Sequence, residues 1–339
     1  MRGENKVNYD IATIKREYEQ KRTYALNQNQ TSKKQIYENN PKLLEIDKEI
    51  CTLGIEASKC SLFPNDEEKQ KRIATIFEKI NKLKSQKEEI IKKNSLIITP
   101  KYECTKCNDT GYITKNGKTS MCSCMKQRII NEYYNKSNLN RLSNETFKNF
   151  DESVYSNTAD VEKYNSKVSP RENINIIKKI ANNFINKFDE EDTKNLLFLG
   201  TAGTGKTFLS SCIANEILSK GHTVLYQTAP VLLDSIFKYK FKNDSKINGL
   251  YDDLFNVDLL IIDDLGTENT SSAKFSELFS IINSRMLNPK VKTIISSNLT
   301  WQQITKAYDD RITSRLLGYY DICMFYGNDI RLRKTKKAP

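Results

Sequence analysis

Histidine is almost missing from this chain: His222 is the one such residue among 339. Any histidine chemistry therefore has a single candidate, and it stands at the start of a predicted strand, where a structural role suits it better than a catalytic one. No stretch of about 18 or more apolar residues occurs, so no membrane span is expected. The opening Met1-Arg2-Gly3-Glu4-Asn5-Lys6 lacks the apolar core of a secretory signal, and the expected location is the cytoplasm. In that setting eight cysteines argue against a disulfide framework. No internal repeat is visible.

Acidic residues are in deficit, 42 Asp and Glu against 54 Lys and Arg, for a net charge of +12. The excess is uneven. The stretch after residue 150 is near neutral, whereas the front, the cysteine-rich middle and the tail from Arg331 to Lys337 are basic. On charge alone this fits a nucleic-acid-facing surface and a plain solvated surface equally well. The length suits about two domains, and 38 % hydrophobic residues can build a real core.

Residues 1–98 read as helical. A first segment carries Ile11, Ile14 and Tyr18. A second begins at Asn40-Pro41, an N-cap followed by proline at the first helical position, and lines up Leu43, Ile46, Ile50, Leu53 and Ala57. A third starts near Pro64-Asn65-Asp66 and spaces Ile73, Ile76, Ile80, Leu83 and Ile90 by threes and fours, interrupted by Lys87, as a coiled-coil seam does. Three thin amphipathic helices make a poor isolated core, so docking onto a partner is expected.

Residues 99–130 hold Cys104-x₂-Cys107 and Cys122-x-Cys124, separated by the turn signals Asp109-Thr110-Gly111 and Asn116-Gly117. Two short cysteine pairs around a hairpin can offer four thiolates to one tetrahedral Zn²⁺ in a closed, structural site. A [4Fe–4S] cluster and four plain thiols remain alternatives. Lys101, Lys106, Lys115, Lys118, Lys126 and Arg128 surround the module and could face nucleic acid or an acidic protein. Residues 131–160 are polar and rich in asparagine (Asn135, Asn138, Asn140, Asn144, Asn149), a connector with Phe147 and Phe150 as docking points.

From about Val161 to residue 339, strand and helix patterns alternate, as in a parallel three-layer α/β domain. The apolar run Leu196 to Leu199 leads into Gly200-Thr201-Ala202-Gly203-Thr204-Gly205-Lys206-Thr207, and a helix-forming stretch starts at Phe208. That is a phosphate loop in its proper strand–loop–helix context. Lys206 would reach the β/γ-phosphates of ATP and Thr207 would ligate Mg²⁺. A second strand is read at His222 to Thr228. The run Leu259 to Ile262 ends in Asp263-Asp264, where Asp263 would hold Mg²⁺ through water and Asp264 would orient the attacking water. A further strand, Val291 to Ser296, ends at Ser297-Asn298; lying between the other two, it would put Asn298 beside the γ-phosphate. Arg311 and Arg315, one helical turn apart, either make surface ion pairs or supply an arginine finger across a subunit boundary.

These features together resemble the AAA+ ATPases. The phosphate loop, the Asp263-Asp264 strand end, Asn298 and the Ser314-Arg315-Leu316 box, preceded by the cysteine module, resemble more narrowly the bacterial replicative helicase loaders of the DnaC/DnaI type. The likeness runs through Cys104-Thr105-Lys106-Cys107-Asn108-Asp109-Thr110-Gly111-Tyr112, Cys122-Ser123-Cys124 and the Thr146-Phe147 to Tyr155 connector. It implies an AAA+ P-loop parallel sheet without a full helical lid, preceded by a helical domain and a zinc module. It implies Arg315 as the finger, with Arg311 the weaker candidate. It implies as partners a hexameric replicative DNA helicase, single-stranded DNA and further copies of the chain, and places a strand-binding helix at Val231 to Lys242. There Phe237, Tyr239 and Phe241 alternate with Lys238, Lys240 and Lys242, which suits base stacking with phosphate attraction and also an ordinary amphipathic helix.

Two departures carry expectations. Many AAA+ proteins have Glu where this chain has Asp264, so hydrolysis should be slow. The last strand, Asp321 to Phe325, is followed by a short basic tail that leaves no room for a lid, with Arg331 the sole substitute for a lid-borne sensor. That economy also fits the IstB-like transposition helpers, which are the alternative reading together with a non-hydrolysing nucleotide-bound adaptor.

Overall fold

The computed structural model describes residues 11–61, 67–132, 144–242, 254–268 and 271–334. They separate into two compact units, residues 1–120 and 121–339. The first unit opens with three helices: α1 (Ile11–Asn39), α2 (Pro41–Ser61) and α3 (Glu67–Lys93). The predicted start of the third helix, Pro64 to Asp66, lies outside the described residues, as do Met1 to Lys6. Leu43, Ile46 and Ala57 of α2 and Ile76 and Ile80 of α3 are buried, with Ile50 and Leu53 packed against them. Lys87 does not break the seam idly: its ammonium bonds Asp47 of α2 and reaches the Tyr37 hydroxyl at 3.4 Å. Burial opposes the charge on Lys87, but these partners outweigh it and raise its pKa.

One expectation for these helices needs correction. Asn40 does not cap α2 with its side chain; its amide donates back to the Ile36 carbonyl at 2.9 Å, closing α1 instead. The proline at 41 is what separates the helices, since it disfavours a helical residue before it. Ile11 is 43 % exposed, whereas Ile14 and Tyr18 are buried.

The hairpin β1 (Tyr112–Lys115) and β2 (Lys118–Met121) turns at Asn116 (φ 50°) and Gly117 (φ 75°), the double left-handed pair of a two-residue hairpin loop. Helix α4 (Ser123–Ile130) follows and belongs with the second unit. The division thus falls inside β2, and α4 and the connector pack on the sheet unit. Gln127 lays its amide along β4 (Val224–Thr228), accepting from the Val224 N–H at 2.6 Å and donating to the Val224 carbonyl at 2.9 Å. Phe147 and Phe150 pack on the core as expected. Of the connector, Asn135, Asn138 and Asn140 lie outside the described residues.

The rest of the second unit is a parallel five-stranded sheet between helices. Its other strands are β3 (Asn195–Gly200), β5 (Leu259–Leu265), β6 (Lys292–Ser297) and β7 (Tyr320–Phe325), ordered β4-β5-β6-β3-β7. Leu196 to Leu199 and Leu259 to Ile262 are all fully buried. Such unbroken apolar runs belong to strands covered on both faces. The helices are α5 (Val161–Tyr164), α6 (Pro170–Asn186), α7 (Lys206–Ser219), α8 (Ala229–Lys242), α9 (Ser272–Met286), α10 (Trp301–Ala307), α11 (Asp310–Tyr319) and α12 (Arg331–Lys334). Residues of α6 and α7 share one apolar layer, and those of α8 to α11 the other. Beyond β7 the described residues hold only α12. Among the described residues no helix is long and apolar enough to cross a membrane.

One irregularity shapes the functional end of the sheet. Ile262 pairs with Ile295, but Leu265 pairs with Ser297, so Asp263 and Asp264 together oppose Ser296 in a β-bulge. Asp264 takes φ 55°.

Candidate nucleotide site and cysteine centre

The carboxyl ends of β3, β5 and β6 converge, and at that crevice the structure brings together most of the residues named from the sequence. Gly205 stands at the N-cap of α7 with φ 99° and no side chain caps the helix. The helix therefore presents its first N–H groups and its positive end, which suits an anion. The loop also needs its glycines sterically: a Cβ on Gly205 would lie 2.3 Å from the Tyr155 hydroxyl, and one on Gly203 2.1 Å from the Asp329 carboxylate. Tyr155 braces the loop by donating to the Thr204 carbonyl at 3.1 Å, while the Thr204 hydroxyl donates to Thr201 at 2.7 Å.

Lys206 is 5 % exposed and folds its ammonium over the loop, donating to the Gly200 and Thr201 carbonyls at 2.6 and 2.9 Å and to Asn298 Oδ1 at 2.8 Å. Burial lowers its pKa to about 8; Asp264 and Asp263 oppose that, and Arg331 adds to it. The other end of the Asn298 amide donates to Asp264 at 3.2 Å. One side chain at the end of β6 thus touches both the loop lysine and the second strand-end acid.

Asp263 is nearly fully buried and multiply held. Its Oδ1 accepts from the Ser296 hydroxyl, from the Asp264 N–H at 3.2 Å and from the Thr207 hydroxyl at 3.4 Å. Its Oδ2 accepts from Tyr226 at 2.7 Å. Ser296 also accepts the Asp264 N–H at 3.1 Å, clipping the two acids into one geometry. The Thr207 hydroxyl and the Asp263 carboxylate are hard oxygen donors side by side, the donor set that Mg²⁺ takes alongside phosphates.

Sequence reasoning missed four residues here: Tyr155, Tyr226, Ser296 and Asp329. Hydroxyls inside otherwise apolar strands, Tyr226 in β4 and Ser296 in β6, were the available signal. Asp329 left none, since its place beside Gly203 comes from the chain after β7, where the Ile330 N–H donates to the Gly203 carbonyl at 2.9 Å. Arg331 pairs with Asp329 at 2.6 Å and so lies by the loop as well.

Arg311 and Arg315 lie elsewhere, both on α11 and both stacked over Phe279 of α9, with ring-centroid distances of 5.0 and 4.6 Å. Arg315 also bonds Asn283 at 2.9 Å and the Arg311 carbonyl at 2.8 Å. Arg311 pairs with Asp309 at 2.7 Å and holds that carboxyl below its usual range. His222 stands just before β4, its ring 4.9 Å from that of Phe188, away from the strand end that carries the acids. Helix α8 covers the predicted strand-binding segment; the side chains from Lys238 to Lys242 lie outside the described residues.

The sulfur atoms of Cys104, Cys107, Cys122 and Cys124 lie within 4.8 Å of one another. Thiolates about 3.8 Å apart are what a tetrahedral ion with 2.3 Å Zn–S bonds requires, so modest tightening would suit zinc. A multi-iron cluster, with metals between the thiolates, would hold them farther apart. The turn is set by Asp109, which is buried with φ 55° and accepts the Glu103 and Cys104 N–H groups at 2.9 and 2.8 Å.

The profile of the IstB-like ATP binding proteins matches residues 114–338, which is most of the chain and the whole of the site around Lys206. The protein belongs to that family. Within reach of this IstB-like chain is the replicative helicase loader DnaC of Escherichia coli K12, 31 % identical over 159 residues, 46 % of this chain and 64 % of the relative. The chain thus spans somewhat under two thirds of that loader's length. An insertion sequence IS21 ATP-binding protein of Pseudomonas aeruginosa is 26 % identical over 153 residues, 44 % of this chain and 56 % of that protein. A crystal structure of the DnaC helicase loader aligns at 19 % identity and a TM-score of 0.44, covering 55 % of this chain and 99 % of that one. The IstB-like unit is therefore a P-loop, ATP-binding module.

Proposed function

We propose that this protein is an ATP-hydrolysing loader of the replicative DNA helicase onto single-stranded DNA, acting in the cytoplasm. The observation that carries the ATPase part is the Asn298 amide, held between Lys206 and Asp264 at the converging strand ends. A phosphate entering the loop would draw Lys206 from the Gly200 and Thr201 carbonyls. Asn298, bonded to Lys206, would register that movement and pass it to Asp264, which orients the attacking water. Bound Mg²⁺, held by Thr207 and by Asp263 through water, would supply charge neutralisation on the phosphates. Arg315 of an adjacent copy would complete the site, which makes assembly a condition of turnover.

The likeness to DnaC supports the loader role. In this reading the helices of residues 1–98 grip the helicase, zinc held by Cys104, Cys107, Cys122 and Cys124 keeps the module folded, and α8 meets the strand. Size-exclusion chromatography with the cognate helicase tests it. Co-elution that depends on ATP rather than ADP, and is altered by Lys206→Ala, is expected; no complex at micromolar concentration would refute it.

The family match and the IS21 relative favour a second reading, an ATPase that assists a transposase. ATP-dependent filaments on duplex DNA, with no helicase complex, would select it.

A further inference from the structure

We propose that Tyr226 is a positioning residue for Asp263, orienting the acid that holds Mg²⁺ and tying the sheet's edge strand to the nucleotide. The inference rests on the ATP reading of the site and deepens it. Tyr226 pairs with Ile261 across β4 and β5, so its side chain shares a face with Asp263 two residues further on. The ring is fully buried in the layer that also contains Val224, Ile261 and Ile294. A phenylalanine would fill that space equally well, so the hydroxyl is what the position adds.

Among the described residues that hydroxyl is what donates to Asp263 Oδ2, while Oδ1 takes Ser296, Thr207 and the Asp264 N–H. Holding both oxygens separately stops the carboxylate from turning about its Cβ–Cγ bond. Without Tyr226, the carboxylate could turn and carry Oδ1 away from Thr207. The tie also has a mechanical consequence. β4 ends at Thr228 and α8 starts at Ala229, so a shift of Asp263 on metal binding is passed to the strand from which α8 departs. On its outer side the same strand is held by Gln127.

The test uses the full chain with a fluorescent ATP analogue, titrated in EDTA and then against Mg²⁺. Tyr226→Phe should bind the nucleotide in EDTA as the wild type does, and should raise the Mg²⁺ half-saturation concentration about 10- to 100-fold, the loss of one hydrogen bond to a charged group. An unchanged Mg²⁺ half-saturation, or an equal loss of affinity with and without Mg²⁺, would overturn the proposal. As a second measurement, the effect of Tyr226→Phe should vanish in an Asp263→Asn background, since the bond's partner is then altered; an effect of the same size in both backgrounds would also overturn it. A wild-type chain that binds no nucleotide would instead bring down the ATP reading itself, and this inference with it.

Discussion

The N-terminal helices and the parallel sheet bury their apolar residues in different ways. Helix α2 buries a narrow stripe, Leu43, Ile46 and Ala57, and leaves Leu44 and Ile55 41 % and 53 % exposed. Phe77 of α3 and Tyr24 of α1 are also exposed. Strand β3 by contrast buries Leu196 to Leu199 completely, because helices cover both faces of the sheet. A sheet packed on both sides can hold its strand ends within the tight tolerances that phosphate chemistry needs. A thin helical layer has no such rigidity and leaves apolar side chains exposed. In the proposed reading the two halves do different work, one chemistry and the other attachment.

The sharpest way to break that division is Arg315→Ala. If the sheet unit needs a neighbouring copy, turnover should fall on the order of 1000-fold while nucleotide binding stays intact, as phosphate release and fluorescent-nucleotide titration would show. Unchanged turnover would make each ATPase unit self-sufficient, and a larger loss with Arg311→Ala would reassign the finger. Next in size is Leu43→Ala, which empties the buried stripe of α2. It should cost about 3 kcal/mol of helical stability, visible as an earlier melting step, and weaken the helicase complex without moving ATP affinity. A parallel loss of ATP binding would show that the halves are not independent.

Asp264→Asn should then lower turnover on the order of 100-fold with binding retained. If turnover were untouched, the protein would be an adaptor in which nucleotide is a structural ligand. The smallest effect concerns pH. The Lys206 pKa lies below its ordinary value, at about 8, so the nucleotide-free protein loses that ammonium's charge as pH rises through about 8. Phosphate binding requires the charged form. ATP affinity should be level below that point and fall by about tenfold per pH unit above it, a slope that Lys206→Ala should abolish.

Much of this was legible in the chain alone. The phosphate loop and the Asp263-Asp264 strand end follow from glycine spacing and unbroken apolar runs, which are local patterns. The helical front was legible for the same reason, down to the stripe of α2. What escaped was the partner of each interruption: Lys87 looked like a flaw in the α3 seam until Asp47 stood opposite it. The docking of α4 was hidden for the same reason, because the Gln127 amide reaching Val224 is a contact 97 positions away.

By itself, the order of residues determined that a nucleotide loop, two adjacent carboxylates and a strand-end asparagine exist, and that four cysteines lie in two short pairs. Only the folded sheet decided how they meet. In a regular strand Asp263 and Asp264 would point to opposite faces. The bulge against Ser296, with Asp264 in the left-handed region, turns both acids to one site. No sequence pattern encodes that bulge, because it arises from the register between two strands about 30 residues apart and from the hydroxyl that clips both acids in place.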